Sequence, residues 1–534
     1  MLVKTYGAAP LGIDAVKVTI EIYAVQGFGF TLVGLPDASV KESYERIKAA
    51  IEMTRISFPR RAFTLNLAPA DIKKEGSAYD LPMAIGMLAG DEKVPTIHLE
   101  EYMMMGELSL DGSISAIKGV LPISLCARKE GFKGIIVPAE NAREAAIVDG
   151  LTVYGVHHLQ EVVDFLKDPS GLAPTIVDTQ ALFDAEVQRS DTDFSDVRGQ
   201  ENVRRAMEVA AAGGHNMLMV GPPGAGKSMM AKRLPTILPP LTLAEALETT
   251  KIHSVAGLLT HRKGGVSDTL IVARPFRSPH HTITDVALAG SGTHPQPGEI
   301  SLAHNGVLFL DELPEYKRSA IEILRQPMED RQVTIARAKT TVTYPASFML
   351  VAAMNPCPCG HYGENNPAHP CTCTPGQIHR YHSKVSGPLL DRIDIHCEIA
   401  AVPYDKLRSM TPGESSAVMR DRVLKARAIQ AARFAGTGIH CNAQMTAKQV
   451  RKYCVLDAES DRKLEAAMTS LGLSARAYDR ILKVARTIAD LDYATRSESL
   501  PLQGAGGTGA MPILLPHLLE SLSYRALDRA NWLG

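Results

Sequence analysis

Gly221-Pro222-Pro223-Gly224-Ala225-Gly226-Lys227-Ser228 is the stretch that decides the fold. It satisfies G-x-x-x-x-G-K-[ST] at every position. An apolar run at 215–220 leads into it, and a run of helical spacing at 229–234 leaves it. This strand–loop–helix setting separates a phosphate-binding loop from a chance glycine-rich turn. Glycines let the backbone curl around phosphate oxygens, so that its N–H groups face the anion. In such a loop Lys227 holds the β and γ phosphates and Ser228 is a ligand of Mg²⁺.

Working outward, Gly306-Val307-Leu308-Phe309-Leu310-Asp311-Glu312 is an apolar strand that ends in two acids. Asp311 suits an Mg²⁺ held through water, and Glu312 suits a general base that polarises the attacking water. Acids also close ordinary strands; the phosphate loop upstream is what favours the catalytic reading. A further apolar run, 348–354, ends at Asn355. An amide there would orient water against the γ-phosphate, or would simply cap a turn. With the run at 393–399, these strands alternate with helical or loop stretches. That alternation argues for a parallel sheet wrapped by helices.

Ser386-Gly387-Pro388-Leu389-Leu390-Asp391-Arg392-Ile393-Asp394 sets Arg392 just before a strand. An arginine there would add positive charge to the phosphoryl group in the transition state, with Asp391 or Asp394 holding its guanidinium meanwhile. The alternative is a surface ion pair of little worth. Leu473-Ser474-Ala475-Arg476-Ala477-Tyr478-Asp479-Arg480 opens a helix near the end of the chain. Arg476 is the candidate to reach a γ-phosphate from that helical unit, and Arg480, one turn later, is its rival.

Cys357-Pro358-Cys359 and Cys371-Thr372-Cys373 are two tight pairs separated by a turn-rich loop. Four thiolates on one loop enclose Zn²⁺ tetrahedrally and staple a segment with little core of its own. Free thiols are the alternative, because Cys-x-Cys is tighter than the usual spacing of zinc ribbons. The other four cysteines are scattered singly, which is not a disulfide framework.

The 534 residues exceed one ordinary core, so about two to four domains are expected. A formal net charge of −1 gives no global field toward nucleic acid or membrane, so any such binding must use local basic patches. There is neither a signal-peptide pattern nor an apolar stretch of membrane-spanning length, which predicts the cytoplasm and no membrane partner. Before residue 169, runs at 16–23, 64–67 and 134–137 predict strands, and 39–54 and 117–130 predict helices. Residues 169–196 read as a linker, 415–491 as almost wholly helical, 497–509 as a loose insertion, and 514–529 as helical again.

Several segments together are more distinctive than the phosphate loop alone. They are Ala210-Ala211-Ala212-Gly213-Gly214-His215-Asn216, Arg274-Pro275-Phe276-Arg277-Ser278-Pro279-His280-His281-Thr282, Pro297-Gly298-Glu299-Ile300-Ser301-Leu302-Ala303-His304, and Asn355-Pro356-Cys357-Pro358-Cys359-Gly360. With 386–394, they make the chain resemble the YifB/ComM family of magnesium-chelatase-like AAA+ ATPases over nearly its whole length. The N-terminal part resembles the Lon protease domain, through Gly106-Glu107-Leu108-Ser109-Leu110-Asp111-Gly112 and Pro138-Ala139-Glu140-Asn141. A Lon-type protease needs a nucleophilic serine and an activating lysine. The alignment puts Ala78 and Ile123 at those positions, so the unit is expected to be inactive; a gap would bring Ser77 to the first of them.

The resemblance implies an α/β architecture: a Lon-protease-like α+β domain at 1–168, the linker 169–196, an AAA+ core with a parallel sheet at 197–404, and a helical lid at 405–534. It implies ATP and Mg²⁺ as cofactors, with Gly221 through Ser228 and Asp311 binding them and Glu312, Asn355, Arg392 and Arg476 acting catalytically. It also implies a homo-hexameric ring with ATP between subunits. A hairpin at 331–344 and an insertion at 252–293 would face the pore, with Arg331, Arg337 and Lys339 as phosphate contacts for DNA; a solvated hairpin explains these cations nearly as well. His280 and His281 lack metal-ligand spacing and suit packing or nucleic-acid contact. The implied activity is ATP-driven movement on single-stranded or branched DNA, with branch migration in recombination or natural transformation (competence) as the specific job. A magnesium-chelatase ATPase subunit and a protein-remodelling chaperone are the other two readings. The fused Lon-like unit speaks against the chelatase subunit, because those subunits would resemble only the later part of the chain.

Overall fold

The computed structural model describes residues 1–186, 192–259, 269–290, 295–336, 341–363, 370–400, 413–496 and 512–525. The expected insertion at 497–509 and the cations Arg337 and Lys339 lie outside the described residues.

The N-terminal unit is built on a strand whose burial alternates. In Asp14–Gln26, Val18, Ile20, Ile22 and Ala24 are buried at period two, while the residues between them are more open. Each large member contributes about 1.5–3 kcal/mol by leaving water. This strand pairs antiparallel with Leu2–Leu11 and Arg61–Ala68, and Gly29–Val33 adds in parallel to the latter. Helix Asp80–Gly90, buried along its whole length, covers the inner face. A second sheet of three parallel strands, Tyr102–Met104, Gly134–Pro138 and Thr152–Val156, shares the same core. The helix expected over 39–54 is two pieces, Ala38–Lys41 and Ser43–Glu52. Asp37 caps the first piece: its carboxylate accepts from Val40 N–H and from Gly76 N–H.

The central unit is a five-stranded, all-parallel sheet in the order Phe276–Arg277, Val307–Leu310, Met349–Met354, Met217–Val220, Ile395–Glu398. The middle three strands are fully buried. That is why they read in sequence as unbroken apolar runs rather than alternating ones. Two separate cores cover the two faces. The strand Phe276–Arg277 was not expected: two residues are too few to show a period, and their place in the sheet comes from pairing with Val307 and Leu308. It lies inside the region read as an insertion, where helix Asp285–Ala289 also forms. The hairpin is present as Gln332–Ala336 against Thr341–Pro345, with Val333, Ile335, Val342 and Tyr344 buried on one side.

Helices Ser416–Arg433, Ala447–Tyr453, Ala458–Leu471, Ala475–Arg496 and Leu515–Ser523 form the C-terminal unit. A buried fork joins two of them, Arg433 to both carboxylate oxygens of Asp490 at 2.6 and 2.8 Å. The stretch read as a linker contains helix Thr179–Glu186 and the fully buried Phe194, which packs in the central unit's core. Asp193 beside it accepts from the backbone of Ser416. The N-terminal and central units are fastened as well. Helix Leu243–Ala256 supplies Ala246 to the N-terminal core, and Ser254 Oγ donates to the buried Glu144 at 2.6 Å. No helix among the described residues is long and apolar enough to cross a membrane.

Candidate active site

Three neighbouring parallel strands end at the same edge of the sheet, and each delivers part of one constellation. Met217–Val220 runs into the phosphate loop, Val307–Leu310 into Asp311-Glu312, and Met349–Met354 into Asn355. The loop's curl relies on Gly224 and Gly226, at φ +76° and +89°, a region other residues rarely adopt. Helix Lys227–Arg233 starts directly after it.

The side chains at this edge bond to one another. Lys227 Nζ donates to the carbonyls of Gly221 (2.6 Å) and Pro222 (2.9 Å) and to Asn355 Oδ1 (3.0 Å). Ser228 Oγ donates to Asp311 Oδ2 at 2.5 Å. The phosphate-loop lysine and the strand-end asparagine therefore address one spot, and the two Mg²⁺ candidates address an adjacent one. Burial lowers the Lys227 pKa, against the pull of Asp311 and Glu312. A phosphate beside that ammonium would replace the lost hydration with charge-assisted bonds. The donor set fits the group: hard oxygens from Ser228 and Asp311 for Mg²⁺, and a lysine with curled amides for a triphosphate.

Glu312 has a backbone φ of +53°, and its carboxylate is about half exposed. Oε2 sits 3.1 Å from His281 Nδ1. His281 arrives from the segment after the edge strand and stacks on His280 at 4.1 Å between ring centroids. Tyr316 OH holds that segment by donating to the Pro279 carbonyl at 2.6 Å. Sequence reasoning missed this contact, because 31 positions separate histidine and glutamate and no spacing rule links them.

The arginines stand elsewhere. Arg392 precedes Ile395–Glu398, so it lies at the sheet edge where strands begin, opposite the phosphate loop. Its guanidinium is buried and pairs with Glu329 at 2.6 Å and with the Pro388 carbonyl at 2.7 Å, and not with Asp391 or Asp394. Its Nε has no partner among the described residues. Arg480, the rival lid arginine, occupies the same edge, donating to the Arg392 carbonyl at 3.0 Å and to Asp394. Arg476 is exposed at the start of its helix. Burial alone would raise the Asp394 carboxyl; Arg480, His215 and Lys483 outweigh it and hold the group well below the usual carboxylate range. A polar cavity of about 250 Å³ opens here, with Glu329, Arg331, Asp394, Arg480 and Lys483 among its walls. Arg331, expected as a pore cation, thus sits at the hairpin's base in this cavity.

The four cysteines come together. Their sulfurs lie within 4.8 Å of one another: Cys357 is 3.3 Å from Cys359 and 3.8 Å from Cys371, Cys359 to Cys371 is 3.6 Å, and Cys373 completes the set.

Three family descriptions match successive parts of the chain: "Subunit ChlI of Mg-chelatase" over residues 18–141, "Magnesium chelatase, subunit ChlI" over 193–407, and "Magnesium chelatase, subunit ChlI C-terminal" over 413–505. The chain is 43% identical to the protein YifB of Escherichia coli over 98% of its own length and 96% of the relative's. It is 42% identical to the competence protein ComM of Haemophilus influenzae over 99% and 98%. Lon protease 2 of Bacillus subtilis is similar over a short part, 34% identical across 18% of this chain and 17% of the protease. The ChlI description therefore reaches the N-terminal unit too.

Proposed function

This chain belongs to the YifB/ComM family of magnesium-chelatase-like proteins, and on that footing we propose that it is an ATP-hydrolysing AAA+ ring motor that works on DNA. The observation that carries the reading is the split between the two edges of the central sheet. The nucleotide-binding and water-activating groups, Lys227, Ser228, Asp311, Glu312 and Asn355, stand at one edge. The buried cation Arg392 stands at the other, a strand length of roughly 13 Å away. A cation so placed does not serve its own chain's phosphate loop; in a closed ring it serves the next one. Arg480, and Arg476 one turn before it, belong to the same trans-acting face. The expected assembly is a homo-hexamer in the cytoplasm.

When bound, Mg²⁺ on Ser228 and Asp311 supplies charge to the β and γ phosphates. The chain's own groups do the remaining work. Lys227 exchanges its carbonyl partners for phosphate oxygens, Glu312 takes the proton of the attacking water, and Asn355 orients that water.

DNA is the preferred polymer because of the competence name of ComM, and branch migration during recombination or natural transformation is the specific job. The test is ATP turnover with single-stranded, duplex and branched DNA side by side, with strand displacement from the branched substrate. Stimulation highest on branched or single-stranded DNA is expected; turnover indifferent to all three overturns the DNA assignment. Protein remodelling is the second reading, favoured by the partial Lon likeness, and stimulation by an unfolded protein alone would establish it. The Lon-like unit is read as proteolytically inactive, because the place of the activating lysine falls on Ile123, which is buried in helix Val120–Lys129.

A structural Zn²⁺ belongs on Cys357, Cys359, Cys371 and Cys373. A tetrahedron with Zn–S bonds of about 2.3 Å has edges of about 3.8 Å; the separations among Cys357, Cys359 and Cys371 are 3.3 to 3.8 Å, and Cys373 lies within 4.8 Å of all three.

A further inference from the structure

The cysteine loop touches the nucleotide site. Gly360, directly after Cys359, has φ +89°, and a Cβ added to it would lie 2.5 Å from Cδ and 2.8 Å from Cγ of Pro223. Its backbone therefore lies flat against a proline of the phosphate loop itself. The loop is anchored on the same side by Asn355, whose Oδ1 holds Lys227, and by the Pro356 carbonyl, which accepts from the buried His382 at 2.8 Å. Its other end, Cys371-Thr372-Cys373, runs straight into the capping box of Thr374 and helix Pro375–His382. That helix leads on to Gly387–Leu390 and Arg392. Of the four cysteines only Cys357 is fully buried. Apolar packing therefore does little to hold the far side of the loop in place.

We infer that the four-cysteine site is a metal-dependent clasp on the phosphate loop: zinc bound by the thiolates holds Gly360 against Pro223 and so sets the affinity of the chain for ATP. The inference rests on the zinc assignment above and extends it from a local staple to control of the nucleotide site. It is physically economical. A zinc ion fixes the thiolates within a few tenths of an ångström, and the glycine contact has no slack to absorb a shift. The same clasp joins Asn355, proposed to address the chain's own nucleotide, to helix Pro375–His382, which precedes the segment holding Arg392.

The test measures equilibrium binding of a fluorescent ATP analogue with Mg²⁺ to the full chain. Binding is followed as purified, after a zinc-selective chelator that spares magnesium, and after zinc is returned, with metal content determined at each stage. Affinity is expected to fall at least roughly tenfold on stripping, equivalent to about 1.4 kcal/mol, and to recover with zinc but not with further magnesium. Gly360→Ala keeps all four thiols and is expected to retain full zinc while binding the analogue similarly weakly. A chain that carries full zinc as purified yet keeps its affinity after stripping overturns the clasp and leaves the zinc site standing. Loss on stripping with a normally binding Gly360→Ala also overturns it, since the metal would then act through folding rather than through this contact. A chain that takes up no zinc removes the metal assignment and the clasp together, whereas the ATP-binding reading is tested separately by Lys227→Ala.

Discussion

The two edges of the central sheet differ in kind. At the edge where strands end, the functional groups bond to one another: Lys227 to Asn355, Ser228 to Asp311, Glu312 to His281. At the edge where strands begin, Arg392 and Arg480 bond to carboxylates of their own chain, Glu329 and Asp394, and no phosphate-binding loop is present. The first edge gathers the candidate nucleotide groups into one bonded set, whereas the second holds arginines already paired within the chain. Under the proposed ring, each chain would supply two half-sites, and ring closure would be part of the catalytic apparatus.

The largest expected effect tests the first edge. Lys227→Ala removes the ammonium that the loop carbonyls and Asn355 hold, and ATP binding measured by calorimetry is expected to vanish; retained tight binding would break the phosphate-loop assignment. Next, Arg392→Ala is expected to bind ATP normally yet lose about 10³-fold in turnover. Mixed rings in which a neighbour supplies the arginine should recover activity, and failure of that rescue would merge the two edges into one cis site. Glu312→Gln keeps size and position but cannot take a proton, so turnover should fall by about 10²-fold while ATP-bound rings persist in size-exclusion chromatography. Normal turnover would remove Glu312 as the base. The smallest effect sharpens the first edge: His281→Ala frees the Glu312 carboxylate from a half-buried partner, and basal turnover should rise roughly two- to fivefold, in line with the modest strength of such pairs. An unchanged rate would mean that the histidine has no hold on the base.

Much of the first edge was legible in the sequence. Its three strands are buried on both faces, so they had to be continuous apolar runs, and functional residues at their ends stand out against them. The phosphate loop is legible for a related reason: its backbone needs glycine at fixed steps, as Gly224 and Gly226 show by their positive φ. The edge strand Phe276–Arg277 was not legible, because two residues hold no period. Nor were the pairs His281–Glu312 and Glu329–Arg392, which join side chains far apart in the chain across folded loops. The cysteine cluster lies between these cases. Its spacing proposed a metal set, but no spacing rule places Gly360 on Pro223.

By itself, the sequence determined what is local: a loop that wraps phosphate, acids and an amide at strand ends, four thiols on one loop, and the family these motifs mark. Backbone conformation and short-range spacing dictate such features, and they are written in consecutive residues. Only the tertiary structure decided which groups share an edge. Strand order and direction set Arg392 opposite Lys227, and no run of residues encodes strand order, because it arises from packing among segments far apart in the chain.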